Sequence, residues 1–187
     1  MSDRRELFVE QIKNAAEERI TESKRKIEAD FRKNREEINH AVQKQTERLF
    51  LQITDKEWTY WEICYLHSGL LMKTHEYRMS LYNSLHMIDP EPASIRVSFD
   101  FIYQYFEEDV EYLTQIIPKK KMQKIYSHEV TAIREYYNNY YIGIVSKYIK
   151  DTLPELLKLE AFRSMKKTDE FTIFFGEYMG RQELLWK

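Results

Sequence analysis

The chain has 187 residues, of which 43% are hydrophobic and 32% are charged, and its formal net charge is −2. This composition is typical of a folded, charge-rich protein of one domain, and the near-neutral charge gives no general attraction to nucleic acid or anionic lipid. The single cysteine, Cys64, excludes an internal disulfide framework, and no apolar run of about 18 residues could span a membrane. We therefore expect a cytoplasmic protein that does not bind membranes.

Glycine and proline are scarce, with four of each in the chain. Because sheet proteins need many turns, this scarcity favours long helices joined by few loops. Aromatic residues are also distributed unevenly, since all 14 tyrosines and all three tryptophans follow residue 57. Large aromatic side chains fill cores, so the sequence predicts two parts: a long, charged, amphipathic helix over 1–55 and a compact helical body over 56–187.

The first part contains no glycine or proline and predicts one helix, about 75 Å long if unbroken at 1.5 Å per residue. Its apolar residues recur every eleven positions, in two series that together form one narrow seam. A repeat of eleven is typical of helices that pair in a straight or slightly right-handed coiled coil. The seam comprises Val9, Ile20, Ile27, Phe31, Ile38, Val42 and Leu49. Because helices are stabilised mainly by burial, we expect a second copy, another protein or the rest of this chain to cover the seam.

The body is predicted as further helices. Residues 56–87 lack proline and carry apolar side chains on most faces, as a central buried helix would. More helices are predicted over 98–117, 119–152 and 154–165. The best strand candidate is 171–175, with 95–99 as its candidate mate, and such a ribbon is marginal alone. The predicted fold is therefore all-α, mostly long helices, with at most a small two-stranded hairpin.

The chain contains no motif of the common catalytic, nucleotide-binding or zinc-binding types. Glu37 with His40, and Cys64 with His67, have spacings seen in metal sites, but neither pair has the further ligands that a metal needs. A solvated helix face explains the first pair, and core packing explains the cysteine. The sequence therefore predicts a non-enzymatic protein with no catalytic residue, no metal, no cofactor and no small-molecule ligand.

Charge is segregated between two neighbouring stretches, since residues 89–117 are acidic and residues 118–151 are basic. If the two stretches pack together, they compensate each other. Alternatively, the acidic helix presents a negative face to a basic partner, and the lysines that follow contact phosphate. The acidic partner face comprises Asp100, Glu107, Glu108, Asp109 and Glu111, and the candidate phosphate contacts are Lys119, Lys120, Lys121 and Lys124.

These patterns support two main hypotheses about function, and a helical-bundle enzyme is the third. The first is a protein-interaction or scaffold protein that pairs, with itself or with another protein, through the N-terminal helix. The alternative is a regulator or inhibitor of a nucleic-acid-handling protein complex, which acts through the acidic face as a nucleic-acid mimic or steric blocker. Strong salt dependence of partner binding favours the alternative, because that contact is ionic. A salt-tolerant association that is lost on Phe31→Asp favours the first.

Overall fold

A computed structural model describes residues 4–52, 56–116 and 125–187. The helices in these ranges are α1 (Arg4–Leu51), α2 (His67–Met72), α3 (Asp100–Tyr103), α4 (Phe106–Ile116), α5 (Ser127–Leu156) and α6 (Glu160–Ser164). The strands are β1 (Trp58–Tyr65), β2 (Glu76–Tyr82), β3 (Ala93–Ser98), β4 (Lys167–Glu177) and β5 (Gln182–Trp186). A short 3-10 turn, His86–Ile88, lies between β2 and β3.

The prediction of an all-α fold is wrong, because the five strands form one mixed sheet and the fold is α+β. The strand order is β3-β2-β1-β4-β5, in which β1 and β4 are parallel and the other neighbours are antiparallel. The central strand, WTYWEICY, consists largely of aromatic and β-branched residues, which favour a pleated and buried strand. This local preference explains why the first part of 56–87 is a strand.

Several element predictions need correction. The single helix predicted over 56–87 is replaced by β1, α2, β2 and the 3-10 turn. The strand predicted at 171–175 lies within β4, but its predicted pairing with 95–99 is wrong, because β4 pairs with β1 and β5 while β3 pairs with β2. The helix predicted over 98–117 is interrupted between α3 and α4. The long N-terminal helix is confirmed over Arg4–Leu51, with non-helical backbone angles at Asn34 (φ −117°, ψ 20°).

The chain divides into two compact units, one formed by residues 1–34 and 100–145 and the other by residues 35–99 and 146–187. The division passes through α1 at Asn34 and through α5, whereas the boundary predicted at 55/56 lies beside residues 53–55, outside the described residues. The first unit is helical, with buried Ile20 of α1, Phe106 of α4 and Tyr137 of α5 in its core.

The second unit contains the whole sheet. One sheet face packs against helices, since Trp61 of β1 lies 5.0 Å from Phe50 of α1 and 6.2 Å from Phe162 of α6, measured between ring centroids. Aromatic stacking of this kind anchors the helices to the sheet by burying large apolar area. None of the described helices is both long enough and apolar enough to cross a membrane.

Candidate functional site

The opposite face of the sheet is polar, and we call it the polar face. Because side chains alternate along a strand, Tyr60, Glu62 and Cys64 point away from the helix-covered side on which Trp61 lies. The strand register places residues from both neighbouring strands beside them. The polar face comprises Tyr60, Glu62 and Cys64 of β1, Arg78, Ser80 and Tyr82 of β2, and Phe174 and Gly176 of β4.

Glu62 lies at the centre of the polar face, and its side chain is only 1% exposed. One carboxylate oxygen contacts Nε2 of His86, and the other lies 3.8 Å from Sγ of Cys64. A buried carboxylate is costly to ionise unless it is paired and hydrogen-bonded. A buried glutamate in a central strand therefore destabilises the fold unless it is paired, and His86 is its main partner among the described residues.

His86 is fixed at one ring nitrogen and open at the other. Its imidazole packs against Tyr60 (4.6 Å between centroids) and Tyr82 (5.5 Å), and its Nε2 contacts Glu62. The side chain is nevertheless 38% exposed, and no described residue makes a hydrogen bond to Nδ1. The contact with Glu62 favours the tautomer in which Nε2 carries the proton, so that the Nδ1 lone pair is available to a bound molecule.

The connection between β2 and β3 holds His86 in place. Buried Asp89 accepts hydrogen bonds from the backbone N–H groups of Asn83 and Glu91, both at 3.0 Å, and the Asn83 side chain accepts one from the N–H of Leu85 at 2.8 Å. Within this loop His86 adopts a left-handed backbone with φ 56°. Such a conformation is unfavourable for residues other than glycine and is often found where a site needs an exact side-chain position.

Cys64 completes the buried part of the polar face but is a poor nucleophile. Burial, followed by the negative charge of Glu62, raises the pKa of the thiol to about 12. The thiol therefore stays protonated near neutral pH and donates to Glu62, while Gln182 of β5 donates from Nε2 to Sγ at 3.5 Å. Cys64 thus contributes a hydrogen bond to the carboxylate.

Arg78 lies beside Cys64 in the strand register and is half-buried. Its guanidinium carbon lies 5.0 Å from the ring centroid of Tyr178, and NH2 makes a long hydrogen bond of 3.5 Å to Oγ of Ser94. No carboxylate of the described residues lies within ion-pairing distance of this guanidinium. The polar face therefore carries a guanidinium that forms no direct ion pair with a carboxylate of the described residues.

A second buried carboxylate, Asp109 in the first unit, provides a comparison. Its side chain is 0% exposed. Its oxygens accept four hydrogen bonds, from Arg19 Nε (2.6 Å), Ser23 Oγ (2.6 Å), Tyr137 OH (2.7 Å) and Tyr141 OH (2.9 Å). Four donors, one of them cationic, satisfy a buried carboxylate fully. Asp109 is thus a structural centre of the helical unit, whereas Glu62 has fewer protein donors and a partly exposed partner.

Of the remaining acidic residues of the predicted partner face, Glu107, Glu108 and Glu111 lie on α4 and Asp100 begins α3. Glu107 forms an ion pair of 2.5 Å with Arg134, and Glu108, whose side chain is 70% exposed, forms one of 2.9 Å with Arg19. Asp100 and Glu111 are exposed. The structure therefore brings Glu107, Glu108 and Asp109 together on one helix but removes Asp109 from the surface and pairs the other two with arginines. Lys119, Lys120, Lys121 and Lys124 lie outside the described residues.

The chain itself buries most of the predicted seam of α1. Ile20, Ile27, Val42 and Leu49 are buried, while Phe31 and Ile38 are half-buried. The Phe31 ring stacks on Phe101 with 6.0 Å between centroids. The side chain of Val9 lies outside the described residues. In this structure the four buried members of the seam are therefore not available to a partner.

Sequence reasoning missed Glu62, His86 and Arg78. The signal for Glu62 was its position between Trp61 and Ile63, since a charged residue between large apolar ones indicates a strand with two different faces. No described group of three or more His, Cys, Asp or Glu side chains is arranged to hold a metal ion. Comparison of the chain with protein-family models, with curated proteins and with solved structures finds no match.

Proposed function

We propose that the polar face binds a small organic ligand and that the Glu62–His86 pair exchanges a proton with it. The observation that carries this proposal is the imidazole of His86, which a buried carboxylate holds at Nε2 while the ring remains 38% exposed. A carboxylate that orients a histidine in this way sets the tautomer and stabilises the imidazolium formed on proton uptake. The remaining nitrogen, Nδ1, then acts as the general base.

The protein residues around His86 limit the reaction class. Cys64 is not the nucleophile, because its thiol pKa is raised to about 12 by burial and by Glu62. The group that gains or loses the proton therefore belongs to the ligand or to a water molecule. Tyr60 and Phe174, whose rings lie 6.4 Å apart and are half-buried, provide apolar surface for the body of the ligand.

This proposal assigns an acid–base role where the sequence predicted a non-enzymatic protein without a small-molecule ligand. The helix-pairing scaffold and the acidic-face regulator stay predictions, which oligomeric state and salt dependence test separately. We still expect a cytoplasmic location, because the single cysteine is an unpaired thiol that is buried in the protein.

The test is a nuclear magnetic resonance screen that observes the ring protons of the five histidines. The probes are phenols, each compared with its O-methyl ether, because only the phenol can donate a hydrogen bond to Nδ1. We expect phenols to shift the His86 resonances and to bind several-fold more tightly than their ethers, because one hydrogen bond between neutral groups contributes about 0.5–1.5 kcal/mol.

His86→Ala should abolish the preference for the phenol, and Glu62→Gln should weaken it. The matched control is His40→Ala, which removes an exposed histidine of α1 and should bind as the wild type does. If no probe shifts the His86 resonances, the binding site is refuted. If phenol and ether bind equally well next to His86, the role of Nδ1 as a base is refuted.

A further inference from the structure

We infer that the ligand of the polar face is an organic anion whose carboxylate or phosphate group binds to Arg78. This inference rests on the proposed function, because it assigns a substrate class to the same site. Its starting point is the contrast between Arg78 and other arginines of the chain. Arg19, Arg96 and Arg134 each form an ion pair with a carboxylate at 3.1 Å or less. Arg78 has no such partner among the described residues.

A guanidinium without a direct ion pair is unfavourable in a half-buried position, because it loses part of its hydration without gaining a contacting carboxylate. The ring of Tyr178 stacks on Arg78, which leaves the edge of the guanidinium fork for hydrogen bonds. That fork matches the two oxygens of a carboxylate or phosphate and binds them in a bidentate manner. The environment of Arg78 therefore suits an anion supplied from outside the protein.

The carboxylates nearest to Arg78 pair with other groups. Glu76 lies two residues before Arg78 on β2, but its carboxylate pairs with Arg96 at 3.1 Å. Arg96 is directly opposite Arg78 in the β2–β3 register and is 68% exposed. Together these three residues carry one net positive charge. Glu62 is buried and is occupied by His86 and Cys64.

The distance between Arg78 and His86 sets the length of the ligand. His86 packs on the Tyr60–Tyr82 pair of the β1–β2 register, and Arg78 belongs to the Cys64–Arg78 pair, four residues further along β1. At about 3.3 Å per residue, the two positions are roughly 13 Å apart along the strand. The ligand is therefore an elongated anion, with the acidic group at one end and the proton-exchanging group at the other.

The test compares 4-hydroxycinnamate with its neutral amide and with 4-hydroxystyrylphosphonate, which carry the same phenol and the same vinyl linker. Binding is measured by calorimetry, and the position of binding is followed by the His86 ring resonances. We expect the anions to bind the wild type about tenfold or more tightly than the amide, because charge-assisted bidentate pairing is strong. The tighter of the two anions identifies the carboxylate or the phosphate class.

Arg78→Gln should remove the preference for anions, whereas Arg96→Gln, the matched control on the adjacent strand, should change affinity by less than about twofold because its charge is exposed and already paired. If acid and amide bind equally and still shift His86, the anion assignment fails and the proposed function stands. If Arg78→Gln retains the preference for anions, Arg78 is not the anion-binding group. If none of the three probes shifts His86, both the anion assignment and the proposed function fail.

Discussion

At the scale of single residues, the polar face controls the chemistry of Cys64. The thiol is buried beside the carboxylate of Glu62, so that ionisation would place two negative charges together in a poorly solvated position. Burial and this carboxylate raise the pKa of the thiol to about 12 from an ordinary value of 9.0. The thiol, which is a nucleophile only when ionised, is therefore a hydrogen-bond donor here.

This shift predicts slow alkylation of Cys64 in the folded protein. At pH 8 the thiolate fraction should be about a thousandfold lower with a pKa near 12 than with one near 9, since each unit changes the fraction tenfold. Reaction with iodoacetamide, followed by mass spectrometry, should be slow in buffer and fast in urea. Similar rates in the two conditions would contradict the buried, protonated thiol.

The same shift makes stability depend on pH in the alkaline range. Because the folded-state pKa lies above the unfolded one, the thiol's contribution to stability is complete below about pH 9 and is lost as the pH rises toward 12. Burial also raises the pKa values of Tyr141 and Tyr148, which act in the same direction at pH values above 10. Cys64→Ala serves as the control. In this variant the alkaline loss of stability that is due to the thiol should disappear, whereas the loss that is due to the tyrosines should remain.

At the scale of elements, sequence patterns predicted α1, the helix with the most regular apolar repeat, and missed β1 and β2. The long run without glycine or proline and the repeat of eleven indicated α1 correctly. β1 was not predicted because both of its faces are buried. Trp61 and Ile63 lie on one face, and Glu62 and Cys64 lie on the other. Apolar and polar residues therefore do not alternate regularly along the strand.

The sequence patterns could not predict the candidate site either. Glu62, Arg78 and His86 belong to two strands and a loop, and only the antiparallel pairing of β1 with β2 brings them to one face. The parallel pairing of β1 with β4 joins segments that are separated by more than 100 residues. Such a pairing depends on the complete fold and leaves no local motif.

Two glycines in different elements should respond oppositely to alanine. A Cβ added at Gly143 in α5 meets no atom within 4 Å, so Gly143→Ala should stabilise the protein by about 0.5–1 kcal/mol through helix propensity. A Cβ added at Gly176 in β4 would collide with the backbone of Arg181 and Gln182, so Gly176→Ala should destabilise by about 1–3 kcal/mol. Urea unfolding measures both changes. A neutral effect at Gly176 would contradict the close approach of β4 and β5.

At the scale of the whole molecule, α1 contributes apolar side chains to both units. Ile27 is buried in the stretch before Asn34, and Val42 is buried in the stretch after it. The seam that suggested pairing with another chain is thus largely covered within this chain. Phe31 and Ile38, which flank Asn34, are half-buried and carry the exposed apolar surface among the described members of the seam.

A seam covered from within predicts a monomer. Light scattering after size exclusion at about 10 μM, where modest coiled-coil affinities are detectable, should give a mass near 22.9 kDa. Ile27→Asp and Val42→Asp should unfold the protein, because each places an unpaired charge in a core. Lys33→Asp, an exposed control on the same helix, should leave the mass and the fold unchanged.

Ile38→Asp discriminates between a seam covered within the chain and a seam that pairs between chains, because Ile38 is half-buried and the fold should tolerate its loss. A dimer that this variant converts to a folded monomer would restore helix pairing between chains, whereas a wild-type monomer places the function on the surfaces of the single chain.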